Sequence, residues 1–196
     1  GEVWVCSGQS NMAFALRAAA DKDEAVAKAD NPQIRLFTVA RAATGTPQAD
    51  CKGQWSVSTP RTALNFSAVA YFFGLELARE LDVPIGLIHS SWGGTRIEPW
   101  TPPVGFEGIE SLKGVRAAIE KANADYAKAS ASATQPVKHP LAGAGRPTGL
   151  YNGMIAPIVP FGIRGAIWYQ GESNRNDGSL YTDKMKALIA GWRKVW

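Results

Sequence analysis

A serine with the surroundings of a nucleophile lies near the start of the chain, in Gly8-Gln9-Ser10-Asn11-Met12. The apolar run Val3–Cys6 before it is typical of a buried strand, and residues 13–20 after it are rich in helix formers. We therefore predict Ser10 on a tight strand-to-helix turn, which exposes the hydroxyl and favours developing negative charge at the helix start. A serine in this position can also simply cap the helix. A nucleophile would need a base, an oxyanion site and a positioning group from elsewhere in the chain.

The segment Trp92-Gly93-Gly94-Thr95-Arg96-Ile97-Glu98-Pro99-Trp100 could supply the oxyanion site. It comes shortly after a predicted strand at 84–88. Its glycines can form a turn, or they can let a backbone N–H approach a substrate closely, as an oxyanion donor must. Arg96 could bind an anionic substrate, although an ion pair with Glu98 or another acid is the preferred interpretation.

Amides and a carboxylate follow the last predicted strand, in Trp168-Tyr169-Gln170-Gly171-Glu172-Ser173-Asn174. Polar amides after a buried strand are costly unless they are hydrogen-bonded, so Gln170 or Asn174 could donate to an oxyanion. Glu172 could hold the loop by accepting backbone N–H bonds. Asn174 could instead cap the helix that follows, and none of these three segments is specific by itself.

Strands and helices alternate along the chain. Strands are predicted at 3–7, 34–39, 84–88 and 163–169, and helices at about 10–29, at 68–81 behind a cap at Asn65 or Ser67, at 107–130 and at 181–196. Residues 41–63 and 132–149 are predicted to be long loops. The alternation favours a parallel sheet with helices on both faces, whose ligands bind beyond the carboxyl ends of the strands. We therefore expect segments 8–12, 89–95 and 170–174 to meet along one edge of the sheet.

Four motifs in order carry a family resemblance: Gln-Ser-Asn-Met at 9–12, the segment 92–100, Leu-Tyr-Asn-Gly-Met-Ile-Ala-Pro at 150–157, and Ile-Trp-Tyr-Gln-Gly-Glu-Ser-Asn at 167–174. Together they resemble the sialate O-acetylesterase family of carbohydrate esterases, a branch of the SGNH hydrolases, over nearly the whole chain. The resemblance implies a flavodoxin-like three-layer α/β/α fold and hydrolysis of acetyl esters on sugars by a serine esterase without metal or cofactor.

The resemblance also implies roles for particular residues. It makes Ser10 the nucleophile and lines the oxyanion hole with the backbone N–H groups of Ser10 and Gly94. A side-chain amide, from Gln170 or Asn174, completes the hole. Three further residues are candidates for the substrate pocket: Arg96, Glu172 and His89.

The chain departs from the family in its catalytic base. The family has a further motif, an Asp two or three residues before a His, after a fifth strand near the C-terminus. This chain has only two histidines, His89 and His139. No Asp closely precedes His139. His89 ends a strand, and we favour a role for it as a hydrogen-bonded wall of the site over a role as the base. We therefore expect residues 1–196 to be an SGNH-hydrolase domain truncated at both ends, without the last strand and the Asp-His loop. Such a piece would be nearly inactive alone and would expose an unpaired sheet edge.

Composition excludes several classes of function. With 196 residues, 45% hydrophobic and 19% charged, the chain suits one globular domain. The formal net charge of +4 is spread out, without the Lys and Arg runs of a nucleic-acid-binding protein. No apolar stretch approaches the length of a membrane span. Cys6 and Cys51 are too few for a cysteine zinc cluster, and whether they form a disulfide stays open. The resemblance points to an extracellular or periplasmic setting.

Three alternatives remain. The first is another polysaccharide acetylesterase, acting on acetylated xylan or pectin with the same chemistry. The second is a catalytically inactive carbohydrate-binding domain, if the chain truly ends at Trp196. The third, a flavodoxin-like cofactor-binding module, is disfavoured because the loop after the first strand lacks a phosphate-binding glycine pattern.

Overall fold

A mostly parallel five-stranded sheet organises the protein. The computed structural model describes residues 1–159 and 161–196. The strand order is β3-β2-β4-β1-β5, and only the β2–β3 pair is antiparallel. The strands are Glu2–Gly8 (β1), Asn31–Thr38 (β2), Ser56–Ser58 (β3), Ile85–Ser91 (β4) and Gly165–Tyr169 (β5). The predicted α/β class is confirmed. Within it, β4 lies between β2 and β1, whereas the flavodoxin order 2-1-3-4-5 places the first strand beside the second.

Six α-helices occur in the described part of the chain. They are Ser10–Ala13 (α1), Lys22–Ala27 (α2), Pro60–Ala63 (α3), Ala68–Leu81 (α4), Lys113–Ser132 (α5) and Leu180–Val195 (α6). Among the described residues, no helix combines the length and apolar character needed to cross a bilayer. The helices fall into two compact units of the chain.

The first unit comprises residues 1–41, 52–94 and 161–170 and contains the whole sheet with α1–α4. Its core gathers apolar side chains from β1, β2 and β4 beneath α4. Gly74 lets α4 lie close to the sheet, because a Cβ there would be 2.5 Å from Leu87. Ser67 caps α4 by accepting a hydrogen bond from the N–H of Ala70.

Both cysteines, Cys6 and Cys51, are free thiols. Burial raises the pKa of Cys6 to about 12, so this thiol stays protonated and acts as a small apolar group in the core.

The predicted helix over 10–29 is wrong as a single element. The chain instead forms α1, a 3-10 turn at Leu16–Ala18 and α2. The backbone at Phe14 and Ala15 is extended, and the N–H of Leu16 donates to the carbonyl of Phe66 rather than within a helix. The predicted loop 41–63 likewise contains the short elements β3 and α3, and Trp55 within it packs against Phe37.

The second unit comprises segments 42–51, 95–159 and 171–196 and contains α5 and α6. Its core joins both helices to the 3-10 turn Pro103–Phe106 through five buried side chains: Phe106, Leu112, Ile119, Leu141 and Ala187. Gly105 permits the close approach of α6, since a Cβ there would lie 2.3 Å from the carbonyl oxygen of Ala187. Trp192 donates its indole N–H to the carbonyl of Trp100 at 3.0 Å.

Candidate active site

Ser10 is an exposed residue at the first position of α1, directly beyond the carboxyl end of β1. The residue in the capping position is Gln9, and no side chain caps this short helix. The helix-capping interpretation of Ser10 is therefore wrong, and its hydroxyl is not used in that way. Gly8 makes the turn possible with a φ of 143°, and a Cβ there would lie 2.1 Å from the carbonyl oxygen of Tyr169.

The glycine-rich loop after β4 lies against Ser10. The N–H of Trp92 donates to the carbonyl of Gly8 at 3.1 Å. A Cβ on Gly93 would be 3.6 Å from the Cα and Cβ atoms of Ser10. Gly94 is exposed with a φ of 75°, a left-handed conformation that L side chains rarely adopt. The loop therefore brings glycine backbone next to the serine, as an oxyanion site requires.

Gln170 lies beside the same turn because β5 pairs with β1 in parallel, with Gly8 opposite Tyr169. The N–H of Gln9 donates to the carbonyl of Tyr169 at 3.0 Å. The side chain of Gln170 donates from Nε2 to Oε1 of Gln9 at 3.2 Å. The carboxyl ends of β1, β4 and β5 thus bring Ser10, the Gly93–Gly94 pair and Gln170 together, as the strand alternation predicts.

Asn174, the other candidate amide, belongs to the second unit and is engaged there by charged groups. It ends the 3-10 turn Glu172–Asn174 and is buried. Its Nδ2 donates to Glu98 Oε2 at 3.1 Å and to Asp177 Oδ2 at 2.6 Å, and its Oδ1 accepts from the N–H of Ile97 at 3.0 Å. The amide therefore joins two loops of this unit. Glu172, at the start of the same turn, is exposed.

Arg96 forms the ion pairs that the sequence favours. Its Nη2 lies 3.3 Å from Glu98 and 2.7 Å from Asp177. The ammonium of Lys184, only 5% exposed, contacts the same two carboxylates at 2.6 and 2.7 Å. Burial raises the pKa of Glu98, but the hydrogen bonds from Lys184 and Asn174 outweigh it and hold that pKa below its usual value.

Asp177 and Lys184 were not anticipated by the sequence interpretation. Lys184 stands among apolar residues on the buried side of α6, where a lysine needs an acid partner. A lysine among the apolar residues of α6 is therefore the sequence signal that could have predicted a buried ion pair at Lys184. We refer below to Arg96, Glu98, Asn174, Asp177 and Lys184 as the charged network.

His89 is a buried, neutral histidine in β4. Its Nε2 is 2.6 Å from Ser91 Oγ, and its ring packs edge-on against Phe66 at 5.5 Å. Burial, and then the charge of Arg41, lower its pKa to about 4. A group with so weak an affinity for protons is a poor general base near neutral pH. These contacts suit the hydrogen-bonded wall that the sequence favours for His89.

His139 lies in the second unit, where its Nδ1 accepts from the N–H of Leu141 at 3.1 Å. Within the described residues, no group of three or more His, Cys, Asp or Glu side chains is arranged to hold a metal ion.

A family model and curated relatives both identify a family of carbohydrate esterases. The family model for carbohydrate esterases described as sialic acid-specific acetylesterases matches residues 1–195. Sialate O-acetylesterase of Rattus norvegicus is 34% identical over 217 residues, an alignment that covers 100% of this chain and 40% of the relative. The Homo sapiens sialate O-acetylesterase is 34% identical over 206 residues, covering 100% of this chain and 36% of the relative.

A solved structure agrees with these relatives. The carbohydrate acetylesterase from Xanthomonas citri superposes with a TM-score of 0.78 at 35% identity, covering 100% of this chain and 38% of that one. The chain thus spans about 40% or less of the length of these proteins. Because the family model matches nearly all of it, the chain belongs to the sialic acid-specific acetylesterase family of carbohydrate esterases.

Proposed function

We propose that the protein is a serine esterase that removes O-acetyl groups from sugars, with sialic acids as the first substrate class and Ser10 as the nucleophile. The observation that carries the proposal is the meeting of Ser10, the Gly93–Gly94 loop and Gln170 at three neighbouring strand ends. Family membership supports the substrate class, since the relatives are named sialate O-acetylesterases.

In the first half of the reaction, Ser10 Oγ attacks the acetyl carbonyl carbon and its proton passes to a general base. The backbone N–H groups of Ser10 and Gly94 and the amide of Gln170 donate to the tetrahedral oxyanion. One such donor lowers the barrier by roughly 2.7–4 kcal/mol. The sugar oxygen leaves with a proton returned by the base, and water then hydrolyses the acetyl-enzyme to release acetate.

We assign the base to an Asp-His pair of the whole protein outside these 196 residues. His89 is buried with its pKa lowered to about 4, and His139 Nδ1 is occupied by the N–H of Leu141. Neither histidine therefore suits proton transfer from Ser10. In this proposal the chain supplies the nucleophile and the oxyanion donors, and a further segment supplies the base.

The test is acetate release from O-acetylated sialic acid by the whole protein and by its Ser10→Ala variant. The rate constant should fall by roughly 10⁴-fold or more, because the covalent route is lost. Ser132→Ala is the matched control, since Ser132 is an exposed serine at the end of α5, and it should keep full turnover. Unchanged turnover in Ser10→Ala would overturn the nucleophile. Release from acetylated xylan but not from sialic acid would overturn the substrate class alone.

A further inference from the structure

Arg41 is an exposed cation at the same edge of the sheet as Ser10. It follows the last residue of β2, Thr38, by three positions, and Ser10 follows the last residue of β1, Gly8, by two. Strand β4 lies between these two strands and is parallel to both. Because neighbouring strands are about 5 Å apart, the carboxyl ends of β2 and β1 are separated by roughly 10 Å.

The guanidinium of Arg41 lies over the loop that follows β4. Its Cζ is 5.5 Å from the centroid of the Trp92 ring, within the range of a cation–π contact. The N–H of Trp92 donates to the carbonyl of Gly8 at 3.1 Å, and a Cβ on Gly93 would be 3.6 Å from Ser10 Cβ. The contact therefore places a positive charge over the same loop that lies against Ser10.

The charge of Arg41 is not neutralised by the described part of the chain. Its guanidinium forms no hydrogen bond or ion pair with the described residues. Arg96, by contrast, is paired with both Glu98 and Asp177. Burial is the larger cause of the lowered pKa of His89, and the charge of Arg41 adds to it, which shows that the positive field extends over the end of β4. Arg41 is thus available to an anionic ligand at this edge of the sheet.

We propose that Arg41 binds the carboxylate of a sialic acid while Ser10 attacks an acetyl ester of the same sugar. The inference rests on the proposed esterase function and assigns a specificity-determining residue to that site. A sialic acid carries its carboxylate at the anomeric carbon and its glycerol side chain across the ring. One molecule can therefore present an anion to Arg41 and an acetyl ester on that side chain to Ser10.

The chemistry of the two groups supports this pairing. A guanidinium binds a carboxylate through two parallel N–H···O bonds, and both bonds are charge-assisted. The contact with Trp92 orders the guanidinium before the sugar arrives, which reduces the entropy lost on binding. Acetylated xylose units carry no carboxylate and gain nothing from Arg41. The galacturonate units of acetylated pectin do carry one, so the experiment includes them.

The first experiment measures acetate release by the whole protein from O-acetylated N-acetylneuraminic acid and from the methyl ester of its carboxyl group. The parent protein should show a kcat/KM at least about tenfold higher for the acid, because the ester cannot form the charge-assisted bonds. Arg41→Gln should remove this preference, mainly by raising KM for the acid, and Arg41→Lys should restore part of it. Equal kcat/KM for acid and ester in the parent, or faster release from acetylated oligogalacturonides than from the sialic acid, would overturn the proposal.

Arg35→Gln is the matched control for these measurements. Arg35 is also exposed on β2, and its guanidinium forms no ion pair within the described ranges. It lines a groove with Glu2 and Ile85, at the opposite ends of the strands from Ser10. This variant should keep the preference of the parent for the acid. A loss of preference as large as that of Arg41→Gln would overturn the assignment to Arg41.

The second experiment measures binding without turnover, by calorimetric titration of the Ser10→Ala protein with N-acetylneuraminic acid and with its methyl ester. The acid should bind at least about tenfold more tightly than the ester, and adding Arg41→Gln should make the two affinities equal. An affinity for the acid that Arg41→Gln leaves unchanged would overturn the proposal. Because this readout needs no nucleophile, a failure of Arg41 is distinguishable from a failure of the proposed esterase function.

Discussion

The side-chain amide of Gln170 donates to the side chain of Gln9, with Nε2 and Oε1 3.2 Å apart. Gln9 directly precedes Ser10, and its N–H donates to the carbonyl of Tyr169, which directly precedes Gln170. Backbone and side chain thus both hold Gln170 beside the turn that carries Ser10. Asn174, by contrast, donates its amide to two carboxylates of the charged network. For the esterase proposed above, this difference favours Gln170 over Asn174 as the side-chain donor to the oxyanion.

Replacing Gln170 with alanine should lower kcat of the whole protein by roughly 10²–10³-fold and change KM much less. The reason is that an oxyanion donor acts on the transition state rather than on the bound substrate. Steady-state kinetics on O-acetylated sialic acid separates the two constants.

Asn174→Ala is the informative comparison for that measurement. It should lower the free energy of unfolding, because Glu98, Asp177 and the N–H of Ile97 each lose a partner. Asn174→Ala should therefore reduce the fraction of folded protein more than it reduces kcat per folded molecule. A large drop in kcat for Asn174→Ala alongside normal kcat for Gln170→Ala would reverse the assignment.

His89 should contribute a pH-dependent term to stability and not to catalysis. Its pKa is lowered to about 4 in the folded protein, against about 6.5 when unfolded. Between these values the unfolded state binds more protons, so this contribution to the free energy of unfolding rises with pH through that window. In His89→Asn this part of the rise should disappear, as urea denaturation across the same pH range can measure.

The same variant should keep the shape of the pH profile for kcat/KM. A base elsewhere in the whole protein would still give the neutral-pH inflection. A large loss of kcat/KM in folded His89→Asn, with the inflection gone from the remaining rate, would instead make His89 the base.

The sequence predicts two kinds of feature well: helices whose apolar residues recur at regular spacing, and the meeting of residues that follow the ends of parallel strands. Helix α4 has the predicted bounds, 68–81, because the serine cap and the apolar residues at helical spacing both indicate a helix that begins at residue 68. The meeting of Ser10, Gly93 and Gln170 was also predictable, since parallel strands place their carboxyl ends together.

Tertiary contacts determine what the sequence could not show. Phe72 and Leu81 are large apolar residues at helical spacing in α4, a pattern that predicts a buried face, yet both are exposed, and Ala70, Tyr71 and Gly74 are buried instead. Small residues and a glycine face the sheet because the helix packs closely there. The helix predicted over 10–29 breaks because the N–H of Leu16 bonds Phe66, a partner remote in sequence. The sequence predicts the Arg96–Glu98 pair of the charged network but not the contact of Lys184 with Glu98, because these two residues are remote from each other in the chain.

Gly8→Ala should destabilise the protein by more than about 2 kcal/mol. The new Cβ would lie 2.1 Å from the carbonyl oxygen of Tyr169, and the φ of 143° is one that alanine rarely adopts. Urea denaturation of the whole protein measures the loss. Gly114→Ala is the control, because Gly114 lies in α5 with no described atom within 4 Å of a new Cβ. That change should stabilise by up to about 1 kcal/mol, and equal effects of the two variants would contradict the steric argument.

Lys184→Met should destabilise the protein by roughly 3–5 kcal/mol at neutral pH, because it leaves buried carboxylates without their ammonium partner. Lys184 contacts Glu98 at 2.6 Å and Asp177 at 2.7 Å and is almost fully buried. Lys186→Met is the matched control, since Lys186 is exposed on the same helix, 3.3 Å from the half-buried Asp183. A surface pair of this kind contributes about 0–1 kcal/mol, so the two methionine variants should differ clearly in urea midpoint.

The pH dependence gives this comparison a second readout. The folded pKa of Glu98 lies below its unfolded value of about 4.3, so its ionised form stabilises the fold above that pH. The contribution is lost as pH falls through the folded pKa. Without Lys184, burial dominates and raises the pKa of Glu98, so Lys184→Met should lose stability at a higher pH than the parent protein during acid unfolding. Parallel acid-unfolding curves for the parent and Lys184→Met would show that the ammonium does not set the ionisation of Glu98.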